Sequence, residues 1–231
     1  MFIYFDIGFT LMGGPSQGPA RRLVEALGLP GSARSVLMDI LFTHPFADAE
    51  QLADHIGGLF HTSDSLTRET VRQLWRAQIE EAYLLPGAST LLAQLQEQKI
   101  PFGFISNIWS PFYEGFRQLL PKESLCCPGF YSFQQGIAKP EPELYRRAVQ
   151  QTGLSAEQVI MVGDTYTMDV APARQLGLKT VWVLHRPHKE LPELVAVVNG
   201  SLPKPDVTVA SLESLSADHF RQWMAGQLNR E

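Results

Sequence analysis

Five short runs of this chain are apolar almost throughout, and none is long enough for a helix: Phe2 to Phe5, Phe102 to Ile105, Val159 to Val162, Thr180 to Leu184 and Val207 to Val209. A strand exposed on one face alternates apolar and polar residues. A strand covered on both faces does not. Between the runs lie stretches with helical spacing. Ala88 to Gln98 places apolar residues at 88, 91, 92 and 95. Glu141 to Thr152 follows Pro140, Met168 to Leu176 stops at Gly177, and Leu212 to Met224 comes last. Pro and Gly at those positions are ordinary start and stop signals. Strands alternating with helices predict an α/β fold, a parallel sheet wrapped on both sides.

One region departs from the alternation. From about Ser16 to Leu85 the pattern predicts helices and no strand, over Pro19 to Leu27, Ala47 to Phe60 and Thr67 to Tyr83. Leu85-Pro86-Gly87 then restores the alternating pattern. The expected organisation is an α/β core over 1–14 and 86–231, with a small α-helical insert over 15–85.

Composition narrows the function classes. At 45% hydrophobic content, 231 residues suffice for a sizeable core. The formal net charge is -5 and no Lys/Arg block stands out, which argues against nucleic acid as a partner. No run approaches the ~18 apolar residues of a membrane helix. No basic stretch precedes the first apolar run, so it does not read as a signal peptide. Cys126 and Cys127 are adjacent and form neither a disulfide framework nor a zinc spacing. The expectation is a soluble cytoplasmic protein, monomer or homodimer.

In open parallel sheets, ligands bind at the carboxyl ends of the strands. The residues just past the runs are Asp6, then Ser106 and Asn107, then Gly163 and Asp164, with Asp169 five residues beyond. Lys139 precedes a proline-started helix. Carboxylates suit Mg2+, which shares the oxygens of its substrate, and a lysine offsets phosphate charge. Each residue alone also fits a plain structural part: Asp164 and Asp169 as helix caps, Lys139 as a solvated lysine.

Taken in order, FDIGFTL, FISN, GIAKPEPELY and VGDTYTMD followed by APARQLGL resemble the four motifs of the haloacid dehalogenase-like hydrolase superfamily. The resemblance covers nearly the whole chain. It implies a Rossmann-like parallel sheet with a helical cap inserted after the first motif. It also implies phosphohydrolase chemistry on a small phosphorylated substrate. Asp6 would attack phosphorus and become an aspartyl phosphate. Asp6, the Gly8 carbonyl and Asp164 would surround Mg2+. Ser106, the Asn107 backbone and Lys139 would hold the phosphoryl group, and Asp169 would orient Lys139 or metal-bound water.

The pattern is broken at Gly8, where most phosphatases of that superfamily carry a second aspartate as acid and base. Such a group is worth about 10²–10⁴-fold in rate. Three readings follow. The first is a phosphohydrolase whose proton comes from elsewhere, or whose leaving group, such as that of an acyl phosphate, needs none. The second is carbon–halogen or carbon–phosphorus cleavage. Dehalogenases usually lack the acid at Asp164, and the phosphonate route needs a cap lysine, whereas no lysine precedes Lys99. The third is a phosphate- and Mg2+-binding regulator without turnover. His44 and His61 are candidates for the missing acid. Arg21, Arg22, Arg34, Arg68, Arg72 and Arg76 are candidates for gripping a second anion.

Overall fold

The computed structural model describes residues 1–226. Six parallel strands form the main sheet: β1 (Phe2–Phe5), β4 (Phe102–Ser106), β5 (Gly129–Tyr131), β6 (Val159–Gly163), β7 (Lys179–Val183) and β8 (Val207–Val209). Their order is β5-β4-β1-β6-β7-β8, so β1 is central. Side chains alternate across the sheet. Ile3 and Phe5 pack on one face with Phe104 of β4, with Leu91 and Leu95 from helix α5 (Ala88–Glu97) and with Phe116 from α6 (Ser110–Leu119). Phe2 and Tyr4 pack on the other with Leu144, Tyr145 and Ala148 from helix α8 (Pro142–Thr152) and Ala173 from α9 (Ala171–Gln175). This is the α/β arrangement that the apolar runs predict and the Rossmann-like sheet that the resemblance implies.

Register fixes the level of the site. Phe5 lies opposite Phe104 in β4 and Val162 in β6. Asp6, Ser106 and Asp164 therefore emerge within one residue of the same level, at the carboxyl ends of three adjacent strands.

Between the first strand and the rest of the sheet lie four helices: α1 (Pro19–Leu27), α2 (Ala33–Thr43), α3 (Ala49–Phe60) and α4 (Asp64–Glu80). They enclose a core of their own, which includes Leu23, Leu37, Leu52, Ile56 and Leu74 and is joined by Trp109 from the loop after β4. Trp75 and Trp109 meet edge to face with ring centroids 5.9 Å apart.

The structure corrects the sequence reading at several points. The span 15–85 does contain a strand: β3 (Tyr83–Leu84) pairs antiparallel with β2 (Met12–Gly13). The last helix of that span ends at Glu80, because Tyr83 is taken by its pairing with Gly13. Helices α2, α6, α7 (Ser132–Gln135) and α10 (Leu191–Val198), and strand β5, were not anticipated. The helix expected from Leu212 begins at Ala217 as α11 (Ala217–Met224), because Ser216 caps it by accepting from the His219 N–H. The stretch expected as a helix from Met168 opens instead with a wide π-type turn over Tyr166–Val170. Among the described residues, no helix is long and apolar enough to cross a membrane.

Candidate active site

Three of the carboxylates flagged in the sequence converge. Asp6, Asp164 and Asp169 are all buried, and one oxygen of each lies within 4.8 Å of the others. Lys139 reaches into this group. Its Nζ donates to Asp6 Oδ1 at 2.6 Å and to Asp169 Oδ1 at 2.5 Å. Thr10 Oγ1 donates to the other Asp6 oxygen at 3.3 Å.

Local sequence makes this arrangement possible. A Cβ on Gly163 would lie 2.2 Å from Asp169 Cγ, so only glycine there lets the Asp169 side chain pass. The second Asp169 oxygen accepts from the Thr165 N–H at 3.0 Å. Both oxygens of Asp169 are therefore engaged, one on the backbone and one on the lysine. Asn107 acts on the backbone of Lys139: its Oδ1 accepts from the Lys139 N–H at 2.7 Å and its Nδ2 donates to the Lys139 carbonyl at 2.9 Å. Ser106 Oγ is buried with no partner among the described residues.

The charges set one another. Burial alone would lower Lys139, but the carboxylates of Asp169 and Asp6 outweigh it and hold the ammonium above its ordinary value. Burial raises Asp169 above the ordinary carboxylate range. Lys139 pulls it down, and the charges of Asp6 and Asp164 push it further up. Burial and the Asp6 charge also raise Asp164, against the pull of Arg186 and Lys139. The asymmetry is physical: one lysine serves two carboxylates, while each carboxylate has other carboxylates nearby.

Sequence reasoning missed Arg186. Its guanidinium donates to Asp164 Oδ2 at 2.7 Å and stacks on Phe9, 3.3 Å from the ring centroid. Arg186 stands just past β7, so the strand-end reading that found Asp6, Ser106 and Asp164 would have found it too. Gln78, on α4, was also missed; nothing local distinguishes it from other helical glutamines.

These groups open into a cavity of about 520 Å³ between the sheet ends and the helices, which Asp6, Lys139, Gln78, Arg21, Arg34 and Arg186 help to line. The candidate arginines separate cleanly. Arg21 and Arg34 line the cavity. Arg68 pairs with Glu50, Asp54 and Asp64, Arg72 with Glu50, Arg76 with Glu80, and Arg22 lies 3.9 Å from Glu81. His44 and His61 sit at the C-terminal ends of α2 and α3 and do not line the cavity. Cys126 and Cys127 are free thiols outside it.

A family model described as haloacid dehalogenase-like hydrolase matches residues 38–177, more than half of the chain. The chain belongs to the haloacid dehalogenase-like hydrolases. The matched segment contains Ser106, Asn107, Lys139, Asp164 and Asp169, while Asp6 and Arg186 lie outside it. A glyceraldehyde 3-phosphate phosphatase of Pyrococcus furiosus is 29% identical over 108 residues, 46% of this chain and 45% of that protein. The match thus spans about half the length of that relative. Among solved structures, a 2-haloacid dehalogenase of Pseudomonas syringae superposes with a TM-score of 0.63 at 17% identity, covering 96% of this chain and 98% of that one. A family enzyme of Bacteroides thetaiotaomicron in complex with magnesium and inorganic phosphate gives 0.59 at 15% identity, over 79% and 93%. At these identities the superpositions establish the fold.

Proposed function

We propose that this chain is a magnesium-dependent phosphohydrolase acting on a small phosphorylated metabolite through an aspartyl phosphate on Asp6. The observation that carries the reading is the buried cluster of Asp6, Asp164 and Asp169, with Lys139 bridging Asp6 and Asp169, together with the unpartnered hydroxyl of Ser106. Three carboxylates this close repel one another, and the two cations beside them, Lys139 on Asp6 and Asp169 and Arg186 on Asp164, leave one negative charge unbalanced. The donor set is all oxygen, as hard divalent cations prefer. Asp6, Asp164 and the Gly8 carbonyl would hold Mg2+, with Asp169 beside them. When bound, the ion supplies positive charge between the attacking carboxylate and the phosphate.

The remaining work falls to the chain's own groups. Asp6 presents one oxygen to phosphorus, while Lys139 and Thr10 orient the carboxylate. The Asp6–phosphorus bond forms, and the bond to the leaving oxygen breaks with its electron pair. Ser106 and Lys139 donate to the phosphoryl oxygens, charge-stabilising contacts that need no rearrangement during reaction. Asn107 fixes the Lys139 backbone and Asp169 aims its ammonium. Water then attacks phosphorus, releases inorganic phosphate and restores the Asp6 carboxylate. We further propose that 15–85 acts as a cap over the core formed by 1–14 and 86–231, opening for substrate and excluding water when closed.

The phosphatase name of the Pyrococcus relative supports phosphate over halide. The carboxylate group does so as well, since expulsion of a halide has no need of a divalent cation. Gly8 favours a second reading, a phosphate- and Mg2+-binding regulator without turnover. Hydrolysis of p-nitrophenyl phosphate and acetyl phosphate, with Mg2+ and with chelator, separates the two. Mg2+-dependent turnover that disappears in Asp6→Asn is the expected result. Silence on both substrates, with phosphate and Mg2+ still bound in calorimetry, supports the regulator.

A further inference from the structure

Neither packing nor backbone geometry requires glycine at position 8. A Cβ there would touch only Phe112 Cε1, at 3.8 Å, in ordinary contact. The same Phe112 ring lies against position 14, where a Cβ would sit 3.0 Å from Cε2 and 3.3 Å from Gln78 Nε2. Gly8, Gly14, Phe112 and Gln78 all line the one cavity, with Phe112 bordering both position 8 and the Gln78 amide's neighbour at position 14. Only 5% of Gln78 is exposed. Its Oε1 accepts from Trp109 Nε1 at 3.1 Å. An indole nitrogen can only donate, so this bond fixes which end of the amide is which. The Nε2 group, with two N–H donors and no hydrogen-bond partner among the described residues, is left to the cavity.

The rest of the lining sharpens the point. Among the described residues, the cavity contains no carboxylic acid besides Asp6, Asp164 and Asp169, and no histidine. It does contain Arg21, Arg34, Lys139, Arg186 and Lys189. Arg21 pairs with Glu25, Lys139 with Asp6 and Asp169, and Arg186 with Asp164. Arg34 and Lys189 have no ion pair among the described residues.

We infer that Gln78 Nε2 is the leaving-group contact of this site, and that the substrate is an acyl phosphate carrying a second anionic group. The inference rests on the phosphohydrolase reading. An amide N–H stabilises negative charge on a leaving oxygen but cannot surrender its proton. A carboxylate needs no proton to depart, whereas an alkoxide does. The reaction balances without an acid: the acyl phosphate dianion and water give a carboxylate and dihydrogen phosphate. The second half follows the same logic, because the aspartyl phosphate is itself an acyl phosphate and expels the Asp6 carboxylate. Arg34 and Lys189 supply the unpaired positive charge that a second anion would meet.

The test measures kcat and KM for acetyl phosphate, succinyl phosphate and n-butyl phosphate with Mg2+. Gln78→Leu should lower kcat on acetyl phosphate about 10²-fold, the usual cost of one such donor. Inhibition by inorganic phosphate should stay within about twofold, because the phosphoryl contacts are separate. Succinyl phosphate should show the higher kcat/KM in the native protein, and Arg34→Ala should remove that advantage. Gln78→Glu preserves shape and places a carboxyl group at the leaving oxygen, so it should gain turnover of n-butyl phosphate. A folded Gln78→Glu with no such gain, or a folded Gln78→Leu with native kcat, overturns the inference. So does a native preference for acetyl over succinyl phosphate. Absence of native turnover on every phosphate removes the phosphohydrolase reading and this inference together. Turnover that is indifferent to Gln78 removes this inference alone.

Discussion

The two walls of the cavity are built differently. On the sheet side, Asp6, Lys139, Asp164 and Asp169 are buried and held by hydrogen bonds to one another, to Thr165 and to Arg186. On the helical side, Arg21 and Arg34 are exposed, Arg21 pairs with Glu25 one turn along its own helix, and Gln78 is held by Trp109. Charges on the sheet side are set by one another in a dry environment. Charges on the helical side are set mostly by water. The first wall is fixed by buried hydrogen bonds, whereas the arginines of the second stand in solvent.

This contrast can be broken from its strongest point downward. Replacing Lys139 with Met leaves two buried carboxylates unpaired, and the loss should be about 3–5 kcal/mol in denaturant unfolding at neutral pH. A loss no larger than that of a surface substitution would show the sheet-side wall to be wetter than its burial implies. Gly8→Asp comes next. It should fold normally, because a Cβ there meets only ordinary contact, and should raise turnover of alkyl phosphates about 10²-fold. An unchanged rate on n-butyl phosphate would mean that the leaving oxygen does not lie near position 8.

A third effect is smaller and depends on pH. Asp164 and Asp169 are held above the ordinary carboxylate range, by burial first and by neighbouring carboxylates. A raised folded value means that the folded chain binds protons more tightly than the unfolded one. Stability from these groups is therefore complete below the ordinary aspartate range. It is lost as pH rises through their raised values. Without metal, the thermal midpoint should fall as pH rises from mildly acidic to neutral. Mg2+ competes with those protons, so its stabilising shift should grow over the same interval. Thermal scans in chelator and in Mg2+ measure both slopes, and a metal shift that is flat with pH would exclude these carboxylates as ligands. The smallest effect belongs to the helical surface. Arg76→Ala removes an exposed pair with Glu80 and should leave the thermal midpoint unchanged.

How much could be read beforehand differed by element. Each run that became β1, β4, β6, β7 or β8 announced itself by lacking alternation, and the residue just past the run fell at the sheet's carboxyl-terminal edge. Pro19 to Leu27 was legible from its spacing and its proline start. Strand β3 was not, since two residues carry no periodicity and Tyr83 pairs with Gly13, some 70 residues away. Helix α2 was missed because its apolar residues are spread around it, with Val36 and Met38 exposed beside buried Leu37.

The sequence by itself determined the chemistry available: carboxylates, a serine and a lysine, placed by local periodicity at strand ends and loops. It also placed a glycine at position 8, where the family resemblance leads one to expect a second aspartate. Only the tertiary structure decided which arginines face the cavity, which end of the Gln78 amide Trp109 takes, and that Arg186 leans on Asp164. Periodicity is a property of neighbours along the chain. Those pairings join residues 31 and 22 positions apart, across separate elements, and packing chooses among partners that local sequence leaves equivalent.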